Sequence, residues 1–202
     1  MSMDQKVDGL IGHFCLAEWW ISSFTEHERK YILYRVRTWR AGPDALIKGD
    51  MSFLKSSDPA SFLNNLTFSL RRPEDNSIAR RVAQKALETA TEPRDIHSAL
   101  LWTIRLNYYV RDSVPGALDI AIAACKRQIE LAQTIADKHR INYPSGKIPL
   151  GEHDGYAHLV KILEKRHEYT EVIRLSEQAN MQGWKGDWDK RIERCNRRLQ
   201  RS

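Results

Sequence analysis

The side chains best suited to chemistry are seven histidines and three cysteines, and their spacing limits what they can do. Two metal ligands on one helix face lie three or four residues apart, but the closest histidines, His153, His158 and His167, are separated by five and nine. The cysteines form no Cys-x-x-Cys pair and lie in apolar helical stretches, as small core residues do; they are Cys15, Cys125 and Cys195. The spacing predicts no metal site.

Catalytic motifs are also absent from the sequence. There is no Gly-x-Ser-x-Gly nucleophile turn, no His-Glu-x-x-His zinc motif and no Gly-x-Gly-x-x-Gly nucleotide loop. Acidic and basic residues are abundant, but solvated helix faces account for them. We therefore expect a protein that is not an enzyme, with no catalytic residue and no cofactor.

A row of cations near the end of the sequence has the spacing that phosphate binding requires. Residues 183–202 hold seven Lys or Arg and three Asp or Glu, in a chain of formal net charge +6. Arg191, Arg194 and Arg198 stand at three- and four-residue steps, so they form a contiguous row on one helix face. The same residues would also favour the helix dipole and solubilise a capping helix. A second basic tract includes aromatic residues: Arg29, Lys30, Tyr31, Tyr34, Arg35, Arg37, Trp39 and Arg40. Nucleic-acid association through the C-terminal row is the alternative function.

The elements that must position these residues are all predicted to be helices. Apolar residues recur at steps of three and four, and no stretch alternates with the period of a strand. Ten glycines and seven prolines leave little material for the turns of an all-β fold. The predicted helices are about 7–24, 26–40, 58–70, 76–90, 95–111, 116–138, 153–166, 169–182 and 187–199. This pattern predicts an all-α fold of antiparallel helix pairs, stacked as a short array with a C-terminal capping helix.

Two helix starts are marked by capping residues. Thr25 and Glu28 form a capping box, in which each side chain bonds the main-chain amide of the other residue. Asp58 precedes Pro59 as an N-cap followed by a proline in the first turn. The apolar stripe of the first helix is expected to include Ala17, Ile21 and Phe24.

Residues 153–181 resemble a tetratricopeptide repeat (TPR), a motif of two antiparallel helices. The matching positions are Tyr156, Leu159, Leu163, Tyr169, Ile173 and Ala179. Val160 and Val172 stand where the motif usually has smaller residues. Residues 96–133 resemble a second, degenerate copy, and residues 183–192 resemble the ends of small bacterial helical-repeat proteins of unassigned function. The resemblance implies a TPR-like array that binds proteins or peptides.

The same resemblance implies a peptide-binding groove on the first helix of each pair. In the better copy its residues would be Asp154, Ala157, His158, Lys161, Glu164 and Lys165, and in the degenerate copy they would include Trp102 and Tyr109. Lys161 and Lys165 suit the binding of a peptide carboxylate through charge-assisted hydrogen bonds. Asp154 and Glu164 oppose it, and they are expected to pair within the helix, with His158 and Lys161.

The predicted domain organisation is one continuous structure in two parts. Residues 1–93 form the N-terminal helix pairs, and residues 94–202 form the TPR-like repeats and the capping helix. The helix 95–111 is apolar almost all round and is the candidate centre of the fold, although it could instead line the groove. If its polar exceptions, Arg105 and Asn107, are buried, they would need partners, and an acidic residue of the 76–90 helix is one candidate.

Location and partners follow from what the sequence lacks. No apolar run approaches the ~20 residues of a membrane span, and the first residues do not resemble a signal peptide. We therefore expect a cytoplasmic protein that does not contact a membrane.

Trp184 and Trp188 are expected to anchor the capping helix on the 169–182 helix. The predicted function is non-catalytic binding of a protein or peptide.

Overall fold

The computed structural model describes residues 7–49, 58–146 and 148–201. Within these ranges every regular element is helical, in eleven α-helices and two short 3-10 helices. Outside the helices, the described main chain forms one isolated parallel bridge, between Glu152 and Lys185. The prediction of an all-α fold is confirmed.

The chain divides into two compact units, Met1–Ala90 and Thr91–Ser202. The N-terminal unit has its own core, in which Ile11, Trp20, Ile32 and Leu63 are among the buried residues. Its helices are α1 (Gly9–His13), α2 (Ala17–Ser23), α3 (Glu26–Arg35), α4 (Pro59–Ser69) and α5 (Asn76–Thr89). Helices α4 and α5 form a packed pair.

The first predicted helix is broken into α1 and α2. Cys15 adopts a left-handed conformation with φ of 57°, and the next amide, that of Leu16, bonds the Ile11 carbonyl oxygen at 2.9 Å. The break rotates α2, so that Leu16 and Trp20 are buried while Ile21 is 49% exposed. The expected stripe was therefore wrong at Ile21, because the periodicity had been continued through a bend.

Both predicted caps of this unit are confirmed. The Thr25 amide donates to the Glu28 carboxylate at 2.9 Å, and the Glu28 amide donates to the Thr25 hydroxyl at 3.2 Å. The Ala60 amide donates to the Asp58 carboxylate at 3.3 Å. These bonds satisfy main-chain donors that the first turn of a helix leaves without partners.

The C-terminal unit is an array of helix pairs. Its helices are α6 (Pro93–Tyr109), α7 (Ala117–Glu130), α8 (Ala132–Asn142), α9 (Asp154–Lys165), α10 (Tyr169–Met181) and α11 (Trp188–Leu199). Helix α6 packs against α7, α9 against α10, and α10 against α11, while α7 and α9 join the first pair to the second. The predicted helix 116–138 is interrupted at Leu131, which separates α7 from α8.

The two pairs approach most closely at Gly155 on α9. A Cβ atom there would lie 2.9 Å from the Cys125 carbonyl oxygen and 3.0 Å from the Gln128 side-chain oxygen. The fully buried Gln128 amide accepts from the Gly155 amide at 2.7 Å and donates to the His97 carbonyl oxygen at 2.9 Å. One glutamine on α7 thereby fixes α6 and α9, and so positions the helix that carries the candidate site.

Candidate functional site

Helix α9 carries all six predicted groove residues of the better copy, and these lie in two kinds of surroundings. Lys161 and Lys165 are exposed, and neither ammonium group pairs with a carboxylate of a described residue. Asp154 is buried, and His158 is half-buried. The lysines therefore remain accessible to a ligand, whereas Asp154 and His158 are engaged within the fold.

Asp154 is bound by an arginine of α6. Its carboxylate accepts from Arg105 Nε at 2.6 Å and from the Arg105 terminal nitrogen at 3.1 Å, a bidentate pair that joins α6 to α9. The expected partner of Arg105 on the 76–90 helix was wrong. The expected pairing of Asp154 with His158 is present as a longer contact: His158 Nδ1 lies 3.9 Å from the carboxylate and bonds the Asp154 main-chain oxygen at 3.0 Å.

Glu164, at the other end of α9, is bound by two arginines of α11. Arg191 donates to its carboxylate at 2.6 Å, and Arg194 donates at 2.7 Å and 3.1 Å. Arg191 also lies 3.3 Å from the Asp187 carboxylate. These arginines lower the pKa of Glu164, chiefly through the Arg194 hydrogen bond. The expected pairing of Glu164 with Lys161 was therefore wrong.

The predicted row of phosphate-binding arginines is not an exposed row. Arg191 is only 7% exposed, and its guanidinium, like that of Arg194, is committed to Glu164. Arg198 is exposed but donates to the Tyr169 hydroxyl at 3.2 Å, with its guanidinium over the same ring. The spacing of the row was read correctly, but its first two members hold α11 against α9.

Two arginines of the basic tract at residues 29–40 make contacts within the N-terminal unit. Arg35 bonds the Ser69 carbonyl oxygen at 2.8 Å and lies 3.2 Å from the fully buried carboxylate of Asp75. Arg37 folds back over the Tyr34 ring, 3.8 Å from its centroid, and donates to the Tyr34 carbonyl oxygen. These cations stabilise helix ends and a buried acid of the N-terminal unit.

The predicted groove residues on α6 differ in exposure. Trp102 is half-buried, with its ring centroid 5.9 Å from the Arg105 guanidinium carbon. Tyr109 is 60% exposed at the end of α6. Helix α6 buries Ala99, Leu100 and Ile104, which makes it a core helix along that face.

His158 is positioned as part of the fold. Its Nδ1 faces a carbonyl oxygen, so this nitrogen carries the proton and donates. Its ring meets the Tyr108 ring edge-on, with the centroids 4.8 Å apart. Burial lowers the pKa of His158, so the imidazole is neutral at pH 7 and cannot supply a positive charge to a peptide carboxylate.

A cleft of about 580 Å³ opens beside Lys161. One wall is α9, and the other is the segment Lys185–Trp188 with the first turn of α11. Lys161, Lys185 and Lys190 line it together with Glu152. None of the three ammonium groups is paired with a carboxylate of a described residue. Asp189, which also lines the cleft, accepts from the Asn180 side chain at 3.0 Å.

Lys185 is the site residue that the sequence analysis missed. It lies between two tryptophans whose expected role was to anchor the capping helix on α10. Both are buried, and α11 packs against α10 as expected. Trp184 also meets His153 at 4.7 Å between ring centroids, and Trp188 meets Tyr156 at 6.2 Å. Two buried tryptophans four residues apart enclose an exposed lysine, and that spacing was the available signal for a turn at the site.

Two buried titratable groups near the start of α9, Cys125 and His153, are uncharged at pH 7. Burial raises the pKa of the Cys125 thiol to about 12, and burial with the neighbouring His97 lowers the pKa of His153 to about 3. At pH 7 the cysteine is a thiol and the histidine is neutral. Nucleophilic catalysis by cysteine requires the thiolate, so Cys125 has the opposite properties.

Comparisons with known proteins give no further direction. No family model matches the chain, and no curated protein and no solved structure matches it. In the described ranges no group of three or more His, Cys, Asp and Glu could hold a metal ion. Across the same residues, no helix has both the length and the apolar character needed to cross a membrane.

Proposed function

We propose that the C-terminal unit is a non-catalytic, TPR-like binding module that holds an acidic peptide segment of a protein partner in the cleft beside α9. One observation carries the proposal: both α9 carboxylates that opposed such binding are already engaged by arginines. Asp154 is bound by Arg105, and Glu164 is bound by Arg191 and Arg194. The charge that α9 offers to a ligand is then that of Lys161 and Lys165.

The cleft supports the proposal through its arrangement of charge. Lys161 comes from α9, Lys185 from the connecting segment and Lys190 from α11, so three ammonium groups approach one space from three elements. Carboxylates of an extended peptide would accept charge-assisted hydrogen bonds from these groups. The helices that carry Lys161 and Lys190 are fixed to each other by Glu164, and a preorganised site loses less entropy on binding.

The proposal is tested with a fluorescein-labelled hexaglutamate peptide and fluorescence anisotropy. The double substitution Lys161→Gln with Lys185→Gln removes two cleft cations. A charge-assisted hydrogen bond contributes about 1.5–3 kcal/mol, so Kd should rise by about tenfold or more for each lysine. The matched control is Lys126→Gln with Lys138→Gln, which removes the same charge from exposed positions of α7 and α8.

An unchanged Kd in the cleft variant, or an equal loss in the control, would reject the cleft as the peptide site. A labelled DNA duplex measured in parallel tests the alternative function. Tighter binding of the duplex than of hexaglutamate, with a steep dependence on salt, would favour nucleic-acid association.

A further inference from the structure

The N-cap of α9 is a histidine that acts as an acceptor. His153 is fully buried, and its Nδ1 accepts from the Tyr156 amide at 3.3 Å. A ring nitrogen accepts only when it carries no proton, so the proton of the neutral ring is on Nε2. That Nε2 is also buried and has no hydrogen-bond partner among the described residues. The start of α9 therefore depends on the protonation state of one imidazole.

A second imidazole, half-buried, faces the first. The His97 ring on α6 lies 5.0 Å from the His153 ring between centroids, and its Nε2 too is buried without a partner in the described structure. Trp184 covers both rings, at 4.7 Å from His153 and 6.2 Å from His97. Two neutral imidazoles and an indole thus close the space behind the start of α9.

This cluster lies directly behind the wall of the cleft. The Lys185 amide donates to the Gly151 carbonyl oxygen at 3.1 Å, and this bond holds the residues before α9 against the segment before α11. His153 and Trp184 flank the two joined segments. If the His153 and Trp184 rings moved apart, the residues before α9 would separate from the segment before α11. These two segments form the wall that presents Lys185.

We propose that His97 and His153 form an acid-sensitive latch: when the pair takes up protons, the start of α9 and Trp184 separate, and the cleft opens and releases an acidic ligand. The release step rests on the proposed function of the cleft, whereas the opening itself does not.

The physical basis is the loss of an acceptor and the gain of charge. A proton on His153 Nδ1 would place two donors, that nitrogen and the Tyr156 amide, against each other, so α9 would lose its cap. Two imidazolium rings 5.0 Å apart would also repel each other where water is excluded. Burial accordingly lowers the pKa of both histidines, that of His153 to about 3.

The direction of the pH effect follows from these lowered pKa values. The closed latch stays neutral, while an open form regains the ordinary histidine pKa of 6.5. As the pH falls below 6.5, protons bind the open form, and the opening equilibrium constant rises by up to about tenfold per pH unit for each histidine. Between pH 7.5 and 5 the rise is about thirtyfold for one histidine.

The other charged or titratable groups around the pair do not reproduce this behaviour. Asp154 on α9 acts on His97 in the opposite direction and is itself bound by Arg105 of α6. Cys125 on α7 and Tyr156 on α9 both have their pKa raised to about 12, so they stay neutral. The segment before α11 contributes the rings and amides of Trp184 and Gln182, which do not titrate.

The test is hydrogen exchange of the Tyr156 and Lys185 amides in the full chain from pH 7.5 to 5, corrected for the intrinsic exchange rate. His153→Asn keeps a side chain that caps helices well but does not titrate. His158→Asn is the matched control on the same helix, because His158 Nδ1 donates and proton uptake removes no bond. The wild type and the control should lose about thirtyfold protection or more, and His153→Asn should lose clearly less, because only His97 then takes up a proton on opening.

Constant protection in the wild type, or the same loss in His153→Asn, would overturn the latch. If His153→Asn does not fold, His97→Phe keeps a ring against Trp184 and should reduce the wild-type pH dependence. Hexaglutamate binding at pH 7.5 and 6.0 separates the two proposals. A peptide that binds at neither pH rejects the peptide site, while the exchange data still decide the latch.

Discussion

Glu164 places one carboxylate between two guanidinium groups, and this arrangement makes it the most consequential acid of the C-terminal unit. The Arg191 side chain is 9% exposed, and the Glu164 side chain is 15% exposed. A buried ion pair adds little net stability over a well-packed apolar pair, but removal of one partner leaves the other charge desolvated. Glu164 and its two arginines therefore add little net stability as a group, but loss of the Glu164 charge alone is costly.

We expect Glu164→Gln to lower the free energy of unfolding by about 2–4 kcal/mol, because it leaves Arg191 and Arg194 without their shared counter-charge. Urea denaturation measures the effect. Glu171→Gln is the control, since Glu171 pairs with Arg174 on the exposed surface of α10 and should cost about 0.5 kcal/mol. Equal effects of the two substitutions would contradict the assignment.

The lowered pKa also determines how the difference in free energy of unfolding between the wild type and Glu164→Gln changes with pH. The pKa of Glu164 is lowered in the folded state from its ordinary value of 4.5. Its stabilising contribution is therefore present above pH 4.5 and is lost as the pH falls below that value. The difference between the wild type and Glu164→Gln should shrink over the same interval.

Ion pairs of this kind were the part of the candidate site that sequence patterns could not provide. Arg105 and Asp154 are 49 residues apart in the chain, so only the contact between α6 and α9 brings them together. Helical spacing on one element gave Lys161 and Lys165 correctly as exposed cations. It gave Arg191 wrongly, because spacing along one helix does not show what a neighbouring helix places against it.

Helix starts were predictable because their contacts are local. Thr25 reaches a residue three positions along, and Asp58 reaches one two positions along, so each cap is contained in a short segment. The break at Cys15 was not predictable in this way. It places a residue other than glycine at positive φ, and the apolar pattern on either side continues without a sign of it.

The contact between α7 and α9 depends on the absence of a side chain at one position. Gly155→Ala would normally favour a helix by up to about 1 kcal/mol. Here the added methyl group would meet the Cys125 carbonyl oxygen and the Gln128 side chain, and both belong to the rigid interface. We expect a net loss of about 1–3 kcal/mol in the free energy of unfolding, measured by urea denaturation.

Gly151→Ala is the matched control for this prediction. A Cβ atom at Gly151 would have no neighbour within 4 Å, so the free energy of unfolding should change by no more than about 0.5 kcal/mol. A Gly155→Ala protein as stable as the wild type would show that α7 and α9 can separate without cost. In that case the interface does not fix the position of α9.

At the scale of the whole molecule, the chain contains two units, each with a buried core. The expected boundary at residues 93 and 94 came from the proline that opens α6, and the compact units meet at Ala90 and Thr91. In the C-terminal unit the core includes fully buried Ile104, Cys125 and Tyr156, contributed by three different helices.

Residues 91–202 produced alone should therefore fold. A unit of this length buries enough apolar surface to be stable without disulfides or metals. Far-UV circular dichroism should show a helical spectrum, and urea should unfold the fragment in one cooperative transition. A gradual, non-cooperative loss of helix would show that the unit needs the rest of the chain.

The fold gives the three thiols very different accessibilities. Cys15 is exposed at the bend between α1 and α2, whereas Cys125 and Cys195 are fully buried and their pKa values are raised. Alkylation at neutral pH requires an accessible thiolate, so Cys15 reacts from the folded state. Cys125 reacts only when α7 and α9 separate. The alkylation rate of Cys125 therefore reports how often the interface between α7 and α9 opens. The measurement uses a native thiol, so no label has to be introduced.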